Sequence, residues 1–244
     1  RTLFSLFLLL SLSVTTMAQQ NPQTLAYEAY LTTDLKAWQE AYQQLARAYE
    51  QSPAPSLQLE LAKTAYGAIS TCFANEDMDA AAEWVKRSER HTDDLLDQQP
   101  EHAEAKALLA GIYGMKIALK PIKGMVLGPR ASRLLDEALE TDPNCALAYY
   151  HRGTSAYNTP AQWGGSKEAA LAAFQQARER YESGDTKQNW AYLNTLAWLG
   201  INHHALGQYT EAQEVYRHAL QLAPDFGWVK FVLLPETEAA LASN

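Results

Sequence analysis

Cysteine is nearly missing from this chain, with two thiols, Cys72 and Cys145, in 244 residues. That excludes a disulfide-stapled miniprotein. Glycine is scarce at 12 residues and proline ordinary at 10, which rules out collagen-like and linker-type chains. Positive charge is short as well. Twenty bases against 28 acids leave a net charge of −8, the wrong sign for a groove that tracks nucleic-acid phosphates. No apolar run reaches the roughly 20 residues of a membrane-spanning helix. Phosphate loops of the G-x-x-x-x-G-K-[ST] kind, G-x-G-x-x-G, H-E-x-x-H and G-x-S-x-G are all absent. What is present is a hydrophobic content of 47%, enough to exclude wholesale disorder and to build a substantial core.

The longest apolar run, Leu3 to Val14, follows Arg1 and is followed by Thr16-Met17-Ala18. A short apolar block ending in small residues fits a secretory signal cleaved before Gln19. No cysteine follows the run, so a lipid anchor is not expected. The expected organisation is a signal peptide at 1–18 and one domain at 19–244, placed in the periplasm or outside the cell.

Repeats dominate the rest. In Leu193–Asp225, Leu196, Leu199, Gly200 and His203 recur at helical spacing, then Ala212, Tyr216 and Ala219. Gly207 separates the two blocks and Pro224 closes the second, because proline cannot continue a helix. Small Gly200 and Ala212 let two antiparallel helices approach, with Tyr216 filling the space between them. In these residues the segment resembles a tetratricopeptide repeat (TPR), a helix–turn–helix unit of about 34 residues. Only His203 departs, standing where an aromatic or aliphatic is usual. The second-helix signature recurs at Ala131, Leu135, Ala138 and Pro143, and again at Ala170, Phe174 and Ala177. It is weaker at Ala41, Leu45, Ala48 and Pro53, and at Ala81 and Val85. First helices are predicted at 57–73, 103–119 and 146–157, with Gly111 and Gly153 at the close-approach position. The clearest repeat is therefore 193–225, the next 103–180, and the region 22–98 is degenerate. An apolar segment after Pro224, at 226–241, is predicted to cap the last repeat, with Pro235 ending its apolar helix. The resemblance implies an all-α, right-handed superhelix (α-solenoid) of about five antiparallel helix pairs plus this C-terminal capping helix.

Two turns are too long for regular repeats, by about eight residues near 120–130 and about five near 158–166. Both mix Gly and Pro with apolar residues, so ordered loops are expected, with Val126, Leu127 and Trp163 either plugging the groove or meeting a ligand. The helix positions that line the concave groove in TPR proteins read Lys63, Tyr66, Ser70 and Phe73, then Leu108, Ile112 and Met115. They continue with Leu147, Tyr150, Thr154 and Tyr157, then Asn194, Ala197, Ile201 and His204. With Trp163, these are the candidate partner-binding residues. Such a groove suits an apolar peptide segment or an inserted loop. The Lys and Asn clamp by which some TPR proteins hold a C-terminal carboxylate is not reproduced, since Ala197 and Ile201 stand at its positions.

The remaining chemistry is structural. Cys72 and Cys145 fall in non-adjacent units and are expected as separate buried thiols. His203 and His204 point about 100° apart on a helix and make a poor metal pair. The acids between Glu89 and Glu104 lack calcium-loop spacing and belong on a solvated helix face. No catalytic residue, cofactor or metal is expected. The function implied is a non-catalytic interaction or scaffold module for an unidentified protein or peptide, with no nucleic acid and no membrane span. The alternative is a small-molecule or lipid-binding accessory protein of a transport system.

Overall fold

Ala, Leu and Tyr at three- and four-residue spacing wind this chain into helix after helix. The computed structural model describes residues 21–243, and the apolar run expected as a signal peptide lies outside them. Among the described residues there are eleven α-helices and no strand. They are α1 (Pro22–Thr32), α2 (Leu35–Gln51), α3 (Pro55–Ala74), α4 (Met78–Gln98), α5 (Ala103–Leu119), α6 (Gly124–Thr141), α7 (Ala146–Asn158), α8 (Lys167–Glu182), α9 (Trp190–Ala205), α10 (Tyr209–Leu222) and α11 (Leu234–Ala242). Several starts are fixed by capping side chains. Asp77 accepts from the Ala80 amide at 2.9 Å, Ser166 from Ala169 at 3.1 Å and Asn189 from Tyr192 at 3.1 Å, each satisfying a backbone donor the helix cannot. Gly207 makes the α9–α10 turn with φ of 73°, a conformation that costs glycine little.

The helices pack as five consecutive pairs, α1/α2 to α9/α10, with α11 closing the last. The predicted first helices at 103–119 and 146–157 agree with α5 and α7, and that at 57–73 with α3. Within pairs, glycine admits the partner's ring. A Cβ on Gly200 would run into the Tyr216 ring, and one on Gly153 would stand 2.6 Å from Phe174. The same device also works between pairs. Gly67 receives Trp38 of the preceding pair and Gly111 receives His151 of the following one. The core runs along the whole array through Trp38, Leu61, Ile112, Leu135, Phe174, Leu196 and Tyr216. Cys72 and Cys145 are both buried and free, with burial pushing each thiol up to about 11.

Two expectations need correction, and an alternative left open above narrows. The insert at 120–130 is helical rather than a loop: a 3-10 turn, Pro121–Lys123, leads straight into α6, which passes through Pro129. Pro235 does not end the capping segment either. A π-helical turn at Val229–Leu233 runs into α11 with Pro235 in its first turn. Proline offers no N–H to the carbonyl four residues back, and the wider π turn accommodates that gap. Finally, neither insert plugs the groove. Trp163 is 73% exposed, Val126 is 56% exposed and Leu127 is only half-buried.

Candidate functional site

The first helices of successive pairs touch one another and form the inner wall, while the second helices lie outside. The wall returns on itself, because α1 contacts both α3 and α9. Tyr30 on α1 carries that closure. Its hydroxyl donates to Asn194 Oδ1 at 2.8 Å, and Asn194 Nδ2 donates to Tyr150 Oη at 2.8 Å. The Tyr30 ring lies 5.8 Å from Trp190 and 5.1 Å from Phe226, and Trp190 meets Trp38 edge-on at 5.4 Å. Burial holds the Tyr30, Tyr66 and Tyr150 hydroxyls well above the usual phenol range, so all three remain neutral hydrogen-bonding groups. His151 is buried with Tyr66 at 5.4 Å and Tyr150 at 4.9 Å. Burial pushes its imidazole down to about 3, and its Nε2 has no hydrogen-bond partner. Sequence reasoning missed α1, Tyr30 and Trp190. The available signal was Asn21-Pro22 as a helix start before Leu25, Ala26, Ala29 and Tyr30, all four of which are buried.

The candidate residues thus divide into two levels. Tyr66, Leu108, Ile112 and Tyr150 are buried, as is Leu147, and Asn194 is tied into the tyrosine chain. Toward the C-terminal ends of the same helices the wall opens. Phe73, Met115, Thr154, Tyr157, Ile201 and His204 are half-buried, while Ser70 is exposed. Tyr157 meets Trp198 edge-on at 5.5 Å. Lys63 stands apart near the middle of α3, bonded to Glu60 at 3.2 Å and Glu104 at 3.0 Å. Burial opposes its charge, but the two carboxylates win and hold the ammonium above its ordinary value. The concave face is therefore a funnel, closed by side chains at one end and open at the other.

At that open mouth the second insert forms a cleft of about 520 Å3, lined by residues 156–161 and 165–168. Lys167 spans it. Its ammonium lies 3.0 Å from the Tyr157 ring centroid and donates to the Tyr157 carbonyl at 2.6 Å. The short turn Ala161–Trp163, ended by Gly164 at φ of 91°, leaves the Trp163 indole exposed to solvent. This cleft can hold an apolar or aromatic group against Tyr157, Pro160 and Ala161, which line it. Histidine pairs elsewhere are structural. His203 Nδ1 pairs with Gln208 at 2.7 Å and His204 Nδ1 with Thr237 at 2.9 Å. Among the described residues no cluster of metal-ligating side chains occurs, and Asp93, Asp94 and Asp97 lie on the exposed face of α4. No described helix is long and apolar enough to cross a membrane.

Residues 194–226 match the tetratricopeptide repeat family. The chain carries a TPR on the fold of TPR proteins. That fold recurs in TTC0263, a thermophilic TPR protein of Thermus thermophilus, with a TM-score of 0.57 at 20% identity, over 92% of this chain and 100% of that one. It recurs also in the HusA haemophore of Porphyromonas gingivalis, with a TM-score of 0.61 at 17% identity, over 75% of this chain and 92% of that one. No curated protein matches the sequence. The TPR fold supports a protein-interaction or scaffold role, and TPR repeats are generally non-catalytic.

Proposed function

We propose that this TPR protein is an exported, non-catalytic interaction module that takes a segment of a partner protein into the open mouth of its concave face. The observation that carries the reading is the mouth itself: half-buried Phe73, Met115, Tyr157 and Ile201, with Trp163 of the second insert 73% exposed. An apolar, aromatic rim on a rigid helical scaffold is chemistry for capturing an apolar peptide segment. Because Tyr30 closes the far end, the partner segment enters from one side and does not thread through. Trp163→Ala and Tyr157→Ala are the deciding variants. Both should lose the protein that the wild type captures from envelope extract, and Trp163→Ala should keep the wild-type melting temperature. Undiminished capture by both would overturn the assignment. Export is tested separately by N-terminal sequencing of the protein from the periplasmic fraction, where the expected first residue is Gln19.

A second reading rests on the cleft. Its volume of about 520 Å3 falls in the range of small-molecule sites, and a fold relative, HusA, is described as a haemophore. A small apolar ligand would lie against Tyr157, Pro160 and Ala161, which line that cleft. Titration with haem and native mass spectrometry of the protein from its source separate this reading from the first. Only apo protein in both would remove it.

A further inference from the structure

From the side chains of the first insert we infer a docking surface for an anionic lipid bilayer, at the tip joining α5 to α6. Between Glu104 and Asp136 the sequence contains no acid and six bases, in a chain with 28 acids and 20 bases overall. Three of the six are used internally. Lys106 pairs with Glu101 and Glu137, Lys116 with Glu89, and Arg133 with Glu137. The other three, Lys120, Lys123 and Arg130, are exposed and have no carboxylate partner among the described residues.

Among these cations stand the least shielded aliphatic side chains of the described residues. Ile122 is 67% exposed, Met125 is 75% exposed and Val126 is 56% exposed. They follow one another through the 3-10 turn and the first turn of α6, so cationic and apolar groups share one projecting end. Repeat packing does not require this length, since α7 and α8 pair well with a shorter α7 of 13 residues against the 17 of α5. A projecting apolar tip ringed by lysine and arginine is the pattern of an interfacial segment. The apolar side chains enter the headgroup region and the cations meet lipid phosphates. The overall negative charge of the chain argues that only this end faces an anionic surface, since the rest would be repelled.

Sedimentation of the full chain with vesicles decides it. The expected result is binding to phosphatidylcholine vesicles doped with phosphatidylglycerol, little binding to phosphatidylcholine alone, and release at about 1 M salt, where the Debye length is ~3 Å. Lys120→Gln and Lys123→Gln should each weaken partitioning roughly fivefold. Ile122→Ser with Met125→Ser should abolish it at unchanged melting temperature, because the replaced side chains face solvent. Leu222→Ser, at the end of α10, serves as a control and should bind as the wild type does. Three results would each overturn the inference: no binding to doped vesicles at low salt, equal binding to neutral ones, or wild-type binding by the Ile122/Met125 variant. So would light scattering that shows a dimer dissolved by that variant, since the tip would then be an interface between copies.

Discussion

Gly200 shows how little room a single residue has in this fold. The backbone there approaches α10 so closely that a Cβ would enter the Tyr216 ring, and both residues are buried. Gly200→Ala should therefore destabilise the protein by about 2 kcal/mol through overpacking, read as a lower urea midpoint at unchanged slope. Gly114, also inside a helix, meets nothing within 4 Å. Gly114→Ala should be stabilising by about 0.5–1 kcal/mol, the ordinary helix preference for alanine. Opposite signs for one substitution in two helices would show that packing and not propensity makes Gly200 necessary. His151 gives a residue-scale expectation about pH. Its folded-state value of about 3 lies below the ordinary 6.5, so the unfolded chain takes up the proton first. The stability this histidine permits is full above about pH 6.5 and falls as pH drops toward 3, by about 2 kcal/mol between pH 7 and pH 5. His91, also lowered by burial, acts in the same direction. His151→Leu should flatten the fall in melting temperature across that window, and an unchanged slope would refute the assignment.

At the scale of elements, α1 is the piece that turns a row of helix pairs into a closed wall. Tyr30→Phe removes the donor to Asn194 Oδ1 while keeping the ring against Trp190 and Phe226, and should cost about 1–2 kcal/mol. Tyr30→Ala should cost about 3–5 kcal/mol, because the ring contacts go as well. Equal effects of the two, measured by chemical denaturation, would mean the ring packing contributes nothing. Parts of this architecture were legible in the sequence. The α9/α10 pair announced itself through Gly200, Ala212, Tyr216 and Pro224, and α5 and α7 through Gly111 and Gly153, because small residues at fixed helical spacing leave few other packings. α1 was not legible in the same way. Leu25, Ala26, Ala29 and Tyr30 carry no small-and-large signature, and what Tyr30 bonds to is 164 positions away, beyond any local period. The first insert was visible as a count of extra residues, yet its helical form was hidden by Pro129 and Gly124, which ordinarily argue for a loop. The candidate site was half legible. Repeat positions named Tyr157 and Ile201 at the mouth, but they could not say that Tyr66 and Tyr150 would be buried.

For the whole molecule, closure changes how stability should be distributed. An open solenoid is close to one-dimensional: each unit contacts only its neighbours, and the end units fray first. Here the two ends share an interface, with Tyr30 on α1 against Trp190 on α9 and Trp38 on α2 against the same indole. The terminal pairs therefore each hold an extra neighbour that an open array lacks, so opening one exposes the other. Amide hydrogen exchange under native conditions should accordingly give α1–α2 and α9–α10 protection comparable to that of α5 and α7. Trp190→Ala removes the ring common to both contacts while leaving the repeat signature untouched. In that variant, protection should fall at both ends together and hold in the middle. Protection that already declines smoothly toward both ends in the wild type would show that the closure is too weak to couple them. Comparable protection followed by a joint loss would make the molecule one cooperative ring, in which the mouth beside Tyr157 is held open by contacts on the far side of the wall.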